Sequence, residues 1–174
     1  MLKMNKTMYL LFFILAAVST LGIYRKTHKF ELPLETNSTL KQIRVIDGDT
    51  FELNGTKIRL YGIDAFEKQQ KCYKHGEYAD CGILATDYLS FLLTGKNISC
   101  NKKSLDKYGR NVSICTVDGI DISKMMVRQG WAKAYTKYSS DYLEDEQFAK
   151  DNLLGAWTKD FIEPKEQRGK NSYE

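Results

Sequence analysis

The stretch DGDTFELNGTKIRLYGIDAFE, residues 47–67, is the part of the sequence from which the fold is predicted first. Two strand-like segments, residues 50–54 and 56–63, flank Asn54-Gly55, a dipeptide that favours a hairpin turn. The stretch also holds five carboxylates, of which Glu52 is expected to face solvent. The other four fall at turns next to strand ends: Asp47, Asp49, Asp64 and Glu67. Because like charges repel, such a cluster indicates a bound cation or a proton acceptor, unless it is simply a charged hairpin in solvent.

The segments around this hairpin predict a mainly β, mixed α+β fold. A strand-like pattern begins at Thr39, and residues 96–102 and 110–117 predict a second hairpin. A polar loop is expected over residues 68–78. This order of elements predicts a five-stranded barrel with about three packed α-helices.

The first of these helices is predicted over residues 82–93. The second follows Asp121, a candidate N-cap, and stops at Gly130. The third is predicted over residues 142–157, where the pattern is weaker. The residues predicted to share one face of the first helix are Leu84, Tyr88, Phe91 and Leu92.

Residues 1–24 have the composition of a signal peptide or a membrane anchor. Residues 8–24 carry no charge and are flanked by basic residues on both sides. We therefore expect export to the periplasm or the extracellular space, with anchoring in the cytoplasmic membrane by residues 8–24 as the alternative. The rest of the predicted organisation is a linker over 25–38, a folded domain over 39–160 and a C-terminal tail over 161–174.

The formal net charge of +4 comes from the leader. Residues 1–30 hold five basic and no acidic residues, which leaves 21 basic and 22 acidic residues in the remainder. Net charge therefore gives no support for nucleic-acid binding, and such a function must rest on the local placement of charges.

The four cysteines all follow the leader, and an even number in an exported protein indicates two disulfides. In a hairpin centred on Lys107-Tyr108, Cys100 and Cys115 lie opposite each other, at the Cα separation of about 4.5 Å typical of a non-hydrogen-bonded pair. Cys72 and Cys81 would then close a smaller loop. A zinc site is the alternative, although C-x₂-C spacing is missing.

The four acids at the strand ends are expected to converge, because in an antiparallel meander these ends lie at the same end of the sheet. Carboxylate oxygens, backbone carbonyls and water suit a hard cation, Ca²⁺ in particular. Arg59 is expected to share a largely apolar strand face with Tyr61 and Ile63. A phosphate partner would account for a charge in that position.

Four segments in this order, VIDGDTFEL, IRLYGIDAFE, DKYGR and VRQGWAKAY, resemble the thermonuclease family of staphylococcal-nuclease-like secreted nucleases. The resemblance runs from about Thr39 to Trp157 and is greatest to the exported, cysteine-bearing bacterial members. It implies an OB-fold barrel. It also implies calcium-dependent hydrolysis of phosphodiester bonds in DNA, RNA or both, with little sequence preference.

The resemblance implies a calcium site at the acid cluster. Asp49 and Asp64 would bind Ca²⁺ through their side chains, Ala65 through its backbone carbonyl and Asp47 through water. Glu67 would be the general base that orients or deprotonates the attacking water.

The resemblance also implies which residues bind the substrate. Arg59 and Arg110 would clamp the phosphate and neutralise the charge that develops on it. The side chains expected to contact the nucleotide are Lys107, Tyr108, Tyr135 and Tyr138.

One position departs from the family pattern, because Phe66 stands where the family usually has proline. Proline would restrict the backbone before Glu67, so the turn is expected to be looser or differently packed, with lower activity. A non-catalytic module of the same fold that binds nucleic acid or protein is the alternative function, and an anchored scaffold is a third. The expected partner is nucleic acid, and the expected state is a monomer.

Overall fold

The computed structural model describes residues 42–170, without the side chains of residues 169 and 170. The predicted leader over 1–24 and linker over 25–38 lie outside the described residues and stay predictions. Within the described part, no helix is both long and apolar enough to cross a membrane.

Short strands and helices alternate along the described chain. The strands are β1 (Ile43–Val45), β2 (Thr50–Leu53), β3 (Thr56–Leu60), β4 (Ile63–Ala65), β5 (Cys72–Lys74), β6 (Glu77–Ala79), β7 (Ile98–Leu105), β8 (Asn111–Val117), β9 (Ile120–Asp121) and β10 (Ala132–Ala134). The α-helices are α1 (Cys81–Leu93), α2 (Ile122–Arg128), α3 (Leu143–Asp151) and α4 (Pro164–Lys170), and a 3-10 turn covers Gly155–Thr158.

The main sheet has the strand order β1-β2-β3-β8-β7, with β9 paired to β8. Neighbouring strands are antiparallel except β3 and β8, which run parallel. Alternate side chains of β2 and β3 enter the core, where Phe51, Ile58 and Leu60 are at most 5% exposed. The predicted α+β class is confirmed, and this order is consistent with a five-stranded, partly open OB-fold barrel.

The single strand predicted over residues 56–63 is interrupted by a turn at Gly62. Gly62 has a φ of +73°, and a Cβ there would lie 2.7 Å from the ring of Tyr142. β3 therefore ends before the turn, and β4 pairs with β10. As a result, Arg59 and Ile63 do not share one strand face, contrary to the prediction.

Both predicted disulfides are present. Cys100 and Cys115 face each other in the β7–β8 register, with their Cα atoms 4.1 Å apart. Cys72 and Cys81 are bonded with a Cα separation of 5.7 Å. Because each of these four cysteines is in a disulfide, the zinc alternative is wrong.

The polar loop predicted over residues 68–78 is instead a small hairpin of β5 and β6. Its turn, His75-Gly76, places both residues at positive φ, 51° and 91°. Tyr73 also exchanges two backbone hydrogen bonds of 2.8 Å with Asp160. The hairpin thus connects the C-terminal segment to the loop that follows β4, a long-range pairing that local polarity did not indicate.

The buried face of helix α1 is only partly the one predicted. Leu92 is buried as predicted, whereas Leu84 and Phe91 are 41% and 74% exposed. Ala85, which was not predicted, is fully buried. The reason is the contact with Gly48, where an added Cβ would lie 2.9 Å from the Cβ of Ala85. Only small side chains fit between α1 and the turn that carries Asp47 and Asp49.

Asp121 caps α2 as predicted, since its Oδ1 accepts a backbone N–H of the first turn at 3.1 Å. The helix predicted over residues 142–157 is shorter, because the chain leaves α3 through Leu153, at a φ of +50°, and continues into the 3-10 turn. Helix α4 lies in the segment 161–174, for which the sequence predicted no element.

Candidate active site

The two buried acids of the cluster lie next to β2 and within β4. Asp49 is 3% exposed and Asp64 is 4% exposed. The β2–β3 register places Thr50 opposite Arg59, and the Ala65 N–H donates to Asp49 Oδ2 at 3.2 Å. The two acid-bearing segments therefore meet, as the sequence predicted.

Arg59 joins the two buried acids. Its Nη1 donates to Asp49 Oδ1 at 2.6 Å, and its Nη2 donates to Asp64 Oδ1 at 3.1 Å. Burial lowers the pKa of Arg59, but the charges of Asp49 and Asp64 outweigh this and raise the pKa above its usual value. The guanidinium therefore stays charged, and both acids hold it in place.

Asp47 is the third carboxylate of the cluster. Its Oδ1 accepts the backbone N–H of Asp49 at 3.0 Å. Burial, and after it the negative charge of Asp49, raise the pKa of Asp47 to about 7. The crowded carboxylates therefore favour an additional proton or cation between them.

Arg110 reaches the cluster from the turn between β7 and β8. Its Nε donates to Asp106 Oδ2 at 2.7 Å, and its Nη1 donates to Thr50 Oγ1 at 3.2 Å. The same Thr50 hydroxyl donates to Asp49 Oδ1 at 2.9 Å. Both predicted arginines thus lie at one site, and a single hydroxyl connects Arg110 to the acids.

A cleft of 740 Å³ opens beside these residues. Tyr108 and Tyr138 are 71% and 58% exposed, and the rings of Tyr135 and Tyr138 pack edge to face at 5.1 Å. The predicted site residues that line the cleft are Asp47, Asp49, Arg59, Ala65, Glu67, Lys107, Tyr108, Arg110, Tyr135 and Tyr138. The structure therefore brings together every predicted site residue, with Asp64 directly behind the cleft surface.

Arg168 of α4 binds Asp64 and Glu67 and itself lines the cleft. Its Nη1 donates to Asp64 Oδ1 at 2.7 Å and to Glu67 Oε1 at 2.8 Å, and its Nη2 donates to Asp64 Oδ2 at 2.9 Å. Burial lowers the pKa of Arg168, but the hydrogen bonds and charges of Asp64 and Glu67 raise it above its usual value. Arg168 is therefore charged and covers Asp64 from the cleft side.

The donors at this site are hard carboxylate oxygens, which are the ligands that Ca²⁺ prefers. Among residues 42–170, no group of three or more His, Cys, Asp or Glu side chains is arranged to hold a metal ion. Arginine guanidinium groups bind the oxygens of Asp49 and Asp64 instead. The donor chemistry thus fits a hard cation, while the calcium-binding roles predicted for Asp47, Asp49, Asp64 and Ala65 stay predictions.

A family model described as "Staphylococcal nuclease homologue" matches residues 57–159 of the chain. The chain belongs to this family. The matched range includes Arg59, Asp64, Glu67 and Arg110, and it ends before α4.

Relatives of this staphylococcal nuclease homologue include bacterial proteins with endonuclease names. An "uncharacterized endonuclease" of Escherichia coli O157:H7 is 34% identical over 125 residues, which cover 67% of this chain and 74% of the relative. An "uncharacterized endonuclease" of Haemophilus influenzae is 32% identical over 139 residues, with coverages of 75% and 73%. The "succinoglycan biosynthesis protein ExoI" of Rhizobium meliloti is 34% identical over 120 residues, with coverages of 67% and 63%.

Phe66, which replaces the usual proline of the family, is 1% exposed. Its ring packs edge-on against Phe161 at 4.9 Å, and Phe161 packs against Trp157 at 5.0 Å. The Glu67 N–H donates to Oε1 of Gln70 at 3.1 Å. Of the two expectations for this turn, looser or differently packed, the structure shows different packing, in which a buried ring restrains the loop before Glu67.

Sequence reasoning missed two residues of the site, Thr50 and Arg168. Thr50 belongs to the D-G-D-T motif, and its position one residue after Asp49 was a signal that could have revealed it. Arg168 lies outside both the resemblance and the range matched by the family model, so no motif marked it.

Proposed function

We propose that this protein is a calcium-dependent nuclease that hydrolyses phosphodiester bonds in DNA, RNA or both, with little sequence preference. One observation carries the proposal: a single cleft collects the accessible acid Glu67, the buried Asp49 with Asp64 behind it, and the arginines Arg59 and Arg110. Family membership and the endonuclease names of the relatives support the same class of reaction.

Glu67 is the proposed general base. Its side chain is 29% exposed and lines the cleft, whereas the side chains of Asp49 and Asp64 are 4% and 6% exposed. A general base must lie within hydrogen-bond reach of the water that it deprotonates. Exposure to the cleft therefore supports Glu67 as the proposed base and the buried acids as the proposed cation ligands.

Arg59 and Arg110 are the proposed phosphate clamp. Their side chains are 18% and 21% exposed, and each is already held by hydrogen bonds to neighbouring groups. A planar guanidinium binds phosphate oxygens through two parallel N–H groups, and a donor fixed in advance stabilises charge as it develops. These contacts neutralise the phosphoryl oxygens during attack by water.

The cation is proposed to bind at Asp49 and Asp64, with Asp47 acting through water and Ala65 through its carbonyl. Bound there, Ca²⁺ supplies positive charge for the phosphoryl oxygens and for the attacking water. The hard oxygen donors support this assignment, because carboxylate and carbonyl oxygens are the ligands that Ca²⁺ prefers.

The exposed rings at the cleft suit nucleic acid as the partner. Tyr108 and Tyr138 are more than half exposed, and Lys107 Nζ lies 4.9 Å from the centre of the Tyr108 ring. Stacking of bases on aromatic rings tolerates any sequence, and lysine attracts the backbone phosphates. Lys107, Tyr108, Tyr135 and Tyr138 are therefore proposed to hold the substrate without reading its sequence.

Release of acid-soluble nucleotides from DNA and from RNA, with Ca²⁺ or with EDTA, tests the proposal. Glu67→Gln should lower the rate by at least about 10²-fold, the usual contribution of a general base. Glu52→Gln is the matched control, because Glu52 lies on β2 in a surface pair with Arg44, and it should keep full activity. Nucleic-acid binding without cleavage would contradict the nuclease and favour a binding module, and cleavage that persists in EDTA would contradict the calcium dependence.

We also propose that the protein is exported to the periplasm or the extracellular space and acts as a monomer. The two disulfides support an oxidising compartment. Residues 8–24 would serve as a cleaved signal or as an anchor in the cytoplasmic membrane. Cell fractionation with N-terminal sequencing of the recovered protein distinguishes these two, and a cytoplasmic protein with free thiols would contradict export.

A further inference from the structure

Arg168 binds the acids that the proposed reaction needs free. Its two Nη atoms reach both oxygens of Asp64, at 2.7 and 2.9 Å, and one oxygen of Glu67, at 2.8 Å. Arg59 also donates to Asp64 Oδ1 at 3.1 Å. Both oxygens of the proposed cation ligand and one oxygen of the proposed base are thus bound by arginine.

This arrangement and cation binding exclude each other. Arg168 binds Asp64 Oδ2, the oxygen that Arg59 does not contact, so a cation that reaches Asp64 from the cleft must displace the guanidinium. A cation placed at Asp64 would also lie close to the positive charge of Arg168, and the two would repel each other. The arrangement in which Arg168 binds Asp64 and Glu67, here called closed, is therefore unable to perform the proposed reaction.

Helix α4 is fastened at its first residues. The side chain of Pro164 is fully buried, and Gln70 Nε2 donates to the Ile162 carbonyl at 2.6 Å. Arg168 lies one turn further along the helix, and its side chain is 35% exposed. The contacts of Arg168 can therefore break while the start of α4 stays attached.

We propose that α4 is a self-inhibiting element, in which Arg168 competes with the divalent cation for Asp64 and covers Glu67 until the cation displaces it. The proposal rests on the calcium-dependent nuclease function proposed above. With a competitor of this kind, the apparent association constant for the cation is the intrinsic constant multiplied by the fraction of molecules in which Arg168 has left Asp64. The nuclease would then switch on at a higher cation concentration than the site alone would require.

Titration calorimetry of the disulfide-bonded protein with Ca²⁺ alone tests the competition. Arg168→Gln removes the charge and should lower the Kd for Ca²⁺ on the order of tenfold, the factor expected if about nine in ten molecules are closed. Lys165→Gln is the matched control, because Lys165 lies on the same helix and lines the same cleft. Its effect should stay within about twofold, as expected for an exposed charge screened by salt.

Hydrogen exchange of the α4 backbone gives a second readout that does not depend on activity. Saturating Ca²⁺ should speed exchange over residues 164–170 of the wild type, because Asp64 cannot hold both Arg168 and the cation. Exchange in β2 and β3 should stay slow, which shows that the barrel remains folded.

Four results would overturn the competition. Equal Ca²⁺ affinity in wild type and Arg168→Gln would overturn the competition but not the proposed calcium site. The same holds if Ca²⁺ binds and the exchange of α4 does not change. Weaker Ca²⁺ binding by Arg168→Gln would also overturn it, since Arg168 would then hold the acids in their binding arrangement. Absence of Ca²⁺ binding in both proteins would overturn the calcium site of the proposed function and the competition together.

Discussion

Asp64 is bound by Arg59 and by Arg168, which reach it from different regions of the molecule. Arg59 lies five residues before Asp64, in β3, whereas Arg168 lies 104 residues after it, in α4. Arg59 also binds the buried Asp49 and is 18% exposed, whereas Arg168 also binds Glu67 and is 35% exposed. The hydrogen bonds to Asp64 have similar lengths, 2.7 to 3.1 Å, so length does not distinguish the two arginines.

The difference lies in what happens when each contact breaks. Loss of Arg59 leaves Asp49 without its guanidinium partner inside the barrel, where a buried charge without a partner is costly. Release of Arg168 uncovers Asp64 to the cleft, where water or a cation can replace the guanidinium. We therefore expect Arg59 to be needed for the stability of the barrel, and Arg168 to leave Asp64 without unfolding the protein.

The largest effect is expected for Arg59→Ala. Urea unfolding with the disulfides intact should show a loss of about 3–5 kcal/mol, the usual cost of removing one partner of a buried ion pair. The control is Arg44→Ala, because Arg44 forms a surface pair with Glu52 and its side chain is 64% exposed. That control should lose less than about 1 kcal/mol. Equal losses would show that Arg59 contributes no more than a surface pair.

Arg110→Lys should lower kcat by about 10²–10³-fold with little change in KM, because the lysine keeps the charge but loses the planar fork that binds phosphate. Steady-state kinetics on DNA measure the effect. Arg128→Lys is the matched control, since Arg128 of α2 pairs with Asp145 of α3, away from the cleft lining, and its side chain is 44% exposed. A KM that rises while kcat holds would mean that Arg110 only holds the polyanion.

Gln70→Leu should destabilise the protein by about 1–3 kcal/mol, because it removes the partner of two part-buried backbone groups. Gln70 is 2% exposed and connects the Glu67 N–H to the Ile162 carbonyl. Gln147→Leu, which removes only an exposed contact to Asp151, should change the free energy of unfolding very little. If Gln70→Leu is equally neutral, the attachment of α4 does not depend on Gln70.

The smallest effect is expected for the stability of Arg168→Gln. The free energy of unfolding should fall by about 1.4 kcal/mol, the equivalent of the tenfold change in Kd, because water can reach Asp64 once α4 is released. Urea unfolding measures the free energy of unfolding of Arg168→Gln and of Arg59→Ala under the same conditions. A loss as large as that of Arg59→Ala would show that Arg168 is as integral to the fold as Arg59.

Local patterns predicted most of the site. The acids next to strand ends, Asp49, Asp64 and Glu67, converge because antiparallel strands place those ends together. Cys100 lies opposite Cys115 as predicted, although a register shift between Lys102 and Ser104, which counting from the turn did not foresee, contributes to this pairing. Such features depend on hydrogen bonding between segments that are close in the sequence.

Features that depend on distant neighbours were not predicted. The buried face of α1 is set by its contact with Gly48, which accommodates Ala85 but nothing larger. The hairpin of β5 and β6 is paired through Tyr73 with Asp160, far along the chain. The pattern of apolar residues within one segment contains no information about either contact.

The sequence by itself indicated the carboxylates and the two arginines of the cleft, and it indicated the cysteine pairs, which lie outside the cleft lining. Only the tertiary structure decided that Arg168 joins the acids. Phe161 packs on Phe66, and this contact brings the start of α4 beside the loop that carries Glu67. Arg168 then reaches Asp64 across 104 residues, a contact set by the packing of the whole domain and by no local rule of sequence.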